Sequence, residues 1–243
     1  MKVRFVALAV AAAAVSPAAG QSFNIDFGQP GAGPPASYAA AGRPGFWISV
    51  PGTQGVTVFN LVDVEGSVTA ARFSQFGGTE TLLVGDHDPS GDDATLMNDF
   101  LITHTAIENC LFFDGLAPGT YEVIIYARMP AQPGVDSLTN VDQEIGNPHH
   151  LVGGPWPGGH VEFVSYALHT AEVAATGPSA GKLGLHSGVP AGGNFELGAA
   201  LNGVQIHKLE PLPEDINGDC AVNVLDLIDL LLDFGTAGGP ADI

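Results

Sequence analysis

The chain has 243 residues, 26 of them Asp or Glu against seven Lys or Arg, for a formal net charge of −19. A surface this acidic repels nucleic acid and anionic membrane, while it suits divalent cations and neutral glycans. Two cysteines, Cys110 and Cys220, are too few for a disulfide framework. They read as buried thiols, with one bridge in an oxidising compartment as the alternative.

Residues 1–20 carry a short basic start, Met1 to Arg4, an apolar run from Phe5 to Val15 and a small-residue exit ending at Gly20. That is the pattern of a secretory signal cut after Gly20. The run is short for a bilayer span, and no later stretch matches one. The mature chain is therefore expected to be secreted, extracellular or at the cell surface. Without Lys2 and Arg4, five basic residues face 26 acidic ones, a net charge of −21.

From Ser22 to Glu210, short β-like runs are separated by Gly, Pro, Asn and Asp. The clearest are SFNIDF, VTVFNLV, SVTAARF, ETLLV, NCLFF, YEVIIYA, HVEFVSY, HTAEVAA and GVQIHKL. Many short strands with turn signals between them predict an antiparallel β-sandwich. Tyr121, Val123 and Ile125 alternate with Glu122, Ile124 and Tyr126, so that strand is expected to be buried on both faces. DDATLMNDFL alone reads as a helix, with Asp93 capping its first turn and Leu96, Phe100 and Leu101 at helical spacing. In FFDGLAPGTYEVIIYA, Asp114-Gly115 opens a turn, Leu116 plugs the core edge and Pro118-Gly119 leads into the next strand.

This G-L-x-P-G-T-Y-x-V arrangement resembles the strand–turn–strand of many extracellular sandwich domains. Together with NIDFG, PPASYAAAGRPGFW, LVGGPWPGG and LNGVQIHKL, it resembles a jelly-roll domain of the galactose-binding-like kind, found in secreted bacterial proteins. The resemblance covers about 185 residues, and it implies a fold rather than an activity.

Candidate chemistry in this region is sparse. Gly177-Pro178-Ser179-Ala180-Gly181 matches G-x-S-x-G, but Pro178 and the β-like flanks fit a loop better than a strand–helix elbow. His149, His150 and His160 lie in a turn-rich stretch whose spacing matches no zinc pattern. Asp86, Asp88, Asp92 and Asp93 crowd four carboxylates that need solvent or a cation. They are a candidate second calcium site, weighed against a solvated turn. Trp47, just before the strand-like ISV, reads as core. Trp156, in GGPWPGG, reads either as a stacking platform for a glycan or as a plug under its own loop.

Two prolines mark a linker at residues 211–214. In DINGDCAVNVLD, oxygen donors fall at calcium-loop spacing: Asp215, Asn217, Asp219, the Ala221 carbonyl, Asn223 and Asp226. With the following LIDLLLDFG, residues 215–235 resemble one repeat of a dockerin type I module. The resemblance implies that these six positions bind Ca2+ and that the helix docks onto a cohesin-like domain or another partner. Two departures stand out. Cys220 occupies the sixth loop position, where the family has Gly. Pro213-Glu214-Asp215-Ile216 recurs 27 residues later as Pro240-Ala241-Asp242-Ile243, so residues 236–243 read as the opening of a second repeat. The helix has Asp226, Asp229 and Asp233 on one stripe and apolar residues elsewhere, so it needs something to cover it.

Three functional readings follow. The first is a non-catalytic protein that binds carbohydrate or a surface through the sandwich and attaches elsewhere through calcium. The second is a glycoside hydrolase or polysaccharide lyase with its site in the sandwich loops. The third is a structural surface protein.

Overall fold

The computed structural model describes residues 21–28, 33–51, 55–77, the backbone of 80–83, 88–104, 109–130 and 132–209, with residues 224, 227 and 228. In chain order come β1 (Phe23–Phe27), β2 (Trp47–Val50), β3 (Thr57–Val58), β4 (Arg72–Phe76) and β5 (Glu80–Leu83). A short helix, α1 (Asp92–Met97), follows, then β6 (Asp99–Thr103), β7 (Asn109–Asp114), β8 (Gly119–Tyr126), β9 (Ser137–Val141) and β10 (His150–Val152). The sandwich closes with β11 (Tyr166–Val173), β12 (Leu183–Gly188), β13 (Ala199–Leu201) and β14 (Gly203–Lys208).

Two sheets pack face to face, in the order β11-β8-β14-β1-β2 and β10-β9-β12-β7-β4-β3, and β13-β6-β5 forms a smaller third sheet. The ladders are antiparallel, except that β1 and β2 run parallel. This is an antiparallel β-sandwich, as the turn spacing predicts. Its core follows from period-two alternation. Phe23, Ile25 and Phe27 of β1 and Tyr121, Val123 and Ile125 of β8 meet Phe73, Leu111, Phe113, Leu183 and Leu185 of the facing sheet. The alternation is plainest on β11, where Ala167, His169, Ala171 and Val173 are buried and Leu168, Thr170 and Glu172 are exposed.

The outer face of the first sheet is covered too. Ile124 and Tyr126 of β8 pack with Trp47, Leu96 and Met97. The segment 36–45 lies close over this face. A Cβ on Gly42 would stand 2.7 Å from Gln205 Oε1, 2.7 Å from His207 Cε1 and 2.8 Å from Ile124 Cδ1. Beneath the segment the polar groups are zipped together. Gln205 Nε2 donates to Asn24 Oδ1 (2.9 Å) and to the Arg43 carbonyl (2.9 Å), while Tyr126 donates to Gln205 Oε1 (2.6 Å). Burial there is tolerable because each amide finds a partner.

The structure corrects several local expectations. The helix stops at Met97, and Asp99–Thr103 is a strand pairing with β5 and β13. Phe100 and Leu101 are core residues of that strand, not a continued helical face. Asp93 does not cap α1: Gly91 stands at the N-cap with no side-chain bond, and the Asp93 carboxylate accepts from Tyr38 instead. HVEFVSY is mostly a turn closed by Ser165 N–H to the Val161 carbonyl (2.9 Å), with Phe163 at φ 64°. In VTVFNLV only Thr57–Val58 is a strand, and in SVTAARF the strand begins at Arg72.

Trp47 is buried, as its position before a strand suggests. Gly177-Pro178-Ser179-Ala180-Gly181 forms turns between β11 and β12. Among the described residues no helix is long and apolar enough to cross a membrane. Residues 211–223, with all the loop ligands before the helix, and Asp226 lie outside the described residues, as do Asp86 and Cys220. Val224, Leu227 and Ile228 are helical and exposed.

Candidate ligand-binding site

At the Tyr126 end of β8, four separate segments bring polar and aromatic side chains together: the stretch 36–45, α1, the C-terminal extension of β8, and the loop after β10. Tyr38 anchors the first. Its carbonyl accepts from Trp47 Nε1 (3.1 Å), and its hydroxyl donates to Asp93 Oδ1 (2.6 Å). The same hydroxyl lies 2.7 Å from His160 Nε2. Tyr38 has one proton to give, so the imidazole Nε2–H donates to the phenol oxygen. His160 Nδ1 is buried with no hydrogen-bond partner, which fits a neutral Nε2–H ring. Burial lowers the His160 pKa, against the opposing pull of Asp93. Burial and the Asp93 bond together push Tyr38 far up, so its phenol stays protonated and is no base.

Around this network the rings are stacked edge to face. Trp156 meets His160 at 5.4 Å and 90°, and Tyr126 meets it at 5.2 Å and 71°. The Arg128 guanidinium sits 5.7 Å from the Trp156 ring centre, and its Nε donates to the Gly154 carbonyl (3.1 Å). Such cation–ring contact fixes the indole plane. Trp156 is only half-buried, so it is neither a free platform nor a sealed plug. Asp93 keeps 29% of its side chain open and Asp88, 4.0 Å from Arg128, keeps 64%. Carboxylate acceptors beside a fixed aromatic ring can meet a hydroxyl-rich ring: acceptors take O–H groups while the indole covers C–H groups.

The other sequence candidates disperse. Asp88 faces Arg128, whereas Asp93 faces Tyr38 and His160. His149 is exposed, and His150 packs on Phe163 (5.4 Å) and His169 (4.7 Å), not on His160. Among the described residues no three His, Cys, Asp or Glu side chains converge as metal ligands.

Two arrangements had no sequence signal. His169 bridges the sheets, 3.2 Å from Thr139, with Glu144 at 2.5 Å on its other nitrogen. Beside it, a cleft of about 310 Å³ is lined by Thr120, Gln143, Glu144, Ile145, Thr170 and Glu172. Its carboxylates are already engaged, Glu144 by His169 and the Thr170 N–H, Glu172 by Thr120. On the outer face of the second sheet, His186 lies 3.2 Å from Cys110 Sγ and 2.9 Å from Asp142. Burial opposes charge on His186, but Cys110 and Asp142 outweigh it and raise its pKa to about 9.

No protein-family model and no curated protein matches the chain. Among solved structures, it is similar to a Bacteroides uniformis beta-glucuronidase at 11% identity and a TM-score of 0.46, over 78% of this chain and 18% of that one. It is similar to the ANXUR2 extracellular domain from Arabidopsis thaliana at 16% identity and a TM-score of 0.37, over 79% of this chain and 49% of that one. It is also similar to the C-terminal CBM6 of LamC from Zobellia galactanivorans, at 15% identity and a TM-score of 0.27, over 56% of this chain and 99% of that one. The chain thus spans about half or less of the first two proteins.

Proposed function

We propose that the sandwich binds a neutral carbohydrate at the Tyr38–Asp93–Trp156–His160 site without catalysing its cleavage. The observation that carries this reading is the fixed, half-buried Trp156 ring, clamped by His160 and Arg128, beside the partly open Asp93 carboxylate. Tyr38 stays protonated, and His160 has Nε2 engaged with Tyr38 and Nδ1 buried, so neither aims a base at the open face of the site, which favours binding over hydrolysis. Glycan-array binding of the wild type, beside a reducing-sugar assay, tests both halves. Binding that Trp156→Ala abolishes, with nearly unchanged melting, supports the site. A loss of about 3 kcal/mol or more in stability marks the ring as core packing instead. Release of reducing ends favours the hydrolase reading and a search for its carboxylates near Glu144 and Glu172.

The C-terminal segment is read as a calcium-dependent docking module resembling dockerin. Asp215, Asn217, Asp219, the Ala221 carbonyl, Asn223 and Asp226 supply oxygens of the kind Ca2+ prefers. The exposed helical Val224, Leu227 and Ile228 support a role in meeting a cohesin-like or other partner. Such a tail would tether a carbohydrate-binding sandwich in a polysaccharide-processing setting, outside the cell.

A further inference from the structure

On the outer face of the second sheet, neighbouring strands line up a thiol, an imidazole and a carboxylate. Cys110 of β7 stands opposite His186 of β12, and His186 stands opposite Asn140 of β9, two residues before Asp142. The sequence leads one to expect a buried thiol at Cys110, but the residue is only partly covered. His186 Nδ1 lies 3.2 Å from Cys110 Sγ, and Nε2 lies 2.9 Å from Asp142 Oδ1. Gly184 makes room for the second contact, because a Cβ there would collide with the Asp142 carboxylate. Other charges near this face are engaged elsewhere: Arg72 pairs with Asp114 at 2.6 Å, and Lys182 donates to the Pro178 carbonyl (2.9 Å). Two phenyl rings border the thiol. Phe76 of β4 stands opposite Cys110, and Phe112 packs 5.9 Å from Phe76 and 5.8 Å from His186. Both rings are exposed.

An ionised carboxylate only accepts, so His186 Nε2–H donates to Asp142 and Nδ1 is left to hold the Cys110 proton. Burial opposes charge on the ring, but its bonds to Cys110 and Asp142 raise it to about 9. Near neutral pH the proton therefore rests on nitrogen, and the sulfur faces it as a thiolate, the nucleophilic form. A thiol paired with a base that a third group orients is an activated nucleophile. The acidic chain repels anionic reagents, while the phenyl rings offer an apolar seat. We propose that Cys110 is a nucleophilic thiol that takes up a small, neutral disulfide, with His186 holding its proton and Asp142 orienting the ring. The Cys110 sulfur attacks one sulfur of the disulfide, a mixed disulfide forms, and the other half leaves as a thiolate that picks up a proton. Cys110 is oxidised and the small disulfide is reduced by the same electron pair, so no further oxidant is needed. This site is independent of carbohydrate binding and of the C-terminal loop.

The test uses the full mature chain carrying Cys220→Ser, in which Cys110 is the sole cysteine. The probe is 4,4′-dithiodipyridine, a neutral disulfide whose released thiopyridone is followed by absorbance, with the mixed disulfide confirmed by mass. An ordinary cysteine titrates near 8.5, so at pH 6.5 it is roughly 1% thiolate. The folded chain should then react about tenfold faster than the same chain unfolded in urea, although folding covers the sulfur. His186→Gln should slow the folded chain about tenfold at pH 6.5 but little at pH 9.5, where a thiol ionises unaided. A merely structural loss would not depend on pH in this way. Asp142→Asn, at a side chain 40% exposed, should act several-fold in the same direction, and it decides the matter if His186→Gln does not fold. Phe76→Ser should slow the pyridyl disulfide several-fold. The proposal is overturned if the folded thiol reacts no faster than the unfolded one at pH 6.5. It is overturned equally if folded His186→Gln or Asp142→Asn keeps its parent's rate there. An unchanged rate in Phe76→Ser overturns the assignment of a neutral, apolar disulfide.

Discussion

Three histidines show how burial sets protonation. His207 donates from Nε2 to Asn24 Oδ1 (3.2 Å), leaving Nδ1 buried with no hydrogen-bond partner. Burial, with Arg43 adding to it, lowers its pKa to about 4 despite Glu122 at 3.7 Å. His160 and His169 are also held below the usual range, chiefly by burial. An unfolded histidine titrates near 6.5. A base with a depressed folded pKa binds fewer protons when folded, so its stability is complete above 6.5 and erodes as pH falls toward 4. Chemical denaturation across that window should show the loss, and His207→Gln, which keeps a donor for Asn24, should make it shallower while His160 and His169 still contribute. A wild-type stability unchanged from pH 7 to 4 would contradict the burial argument. At the site itself, Tyr38→Phe removes the donor to Asp93 and the acceptor for His160, and should cost about 1–3 kcal/mol. None of this was legible in the sequence. Tyr38 and His160 lie 122 residues apart, and nothing local to either predicts the other. Trp156 was singled out by its loop, but its half-burial depends on Arg128 and His160, which only the fold supplies.

Elements were easier to foresee where one face decides their fate. β1, β7, β8 and β14 fall where alternation or continuous apolar runs place them, and β8 is buried on both sides as its sequence predicts. Failures occurred where tertiary pairing overrode local pattern. Leu96, Phe100 and Leu101 suit a helix, yet Phe100 and Leu101 enter a strand because β5 and β13 offer ladders on either side. β9 and β12 passed unnoticed: Ser137, Thr139, Asn140 and Ser187 are buried polar residues, which blur an apolar signal. The segment 36–45 offers an element-scale test. Gly42→Ala should push it off the sheet, costing about 1–3 kcal/mol by overpacking, and should weaken ligand binding because Tyr38 rides on that segment. Unchanged melting and affinity would mean that the segment yields freely. For the C-terminal loop, three carboxylates and a non-Gly sixth position lead us to expect weak calcium binding, on the order of 10⁻⁵ to 10⁻³ M. Calorimetry should show it lost in Asp215→Ala and tightened in Cys220→Gly.

At the scale of the whole molecule, the hydrophobic core closes between the two large sheets using residues 23–206. A fragment of residues 21–210 should therefore fold alone, β-rich by circular dichroism and with a cooperative melt. A molten or helical fragment would move the domain boundary. Overall architecture was legible because turn chemistry and short apolar runs recur along the whole stretch. The third sheet was not, since it depends on β6 being a strand.

β1 and β14 are antiparallel neighbours, with Phe23 opposite Ile206. The chain thus enters and leaves the sandwich side by side. Tyr121 of β8 pairs with Lys208 there, while Tyr126 and its surrounding rings stand at the far end of the same strand. Five residue steps along β8 amount to roughly 17 Å. A tether at the C-terminal exit would hold the domain like a lamp on its stem, with the aromatic site facing away from the anchorage. Tension between the entering and leaving strands would open them one rung at a time, as a zipper parts, rather than shear every rung at once.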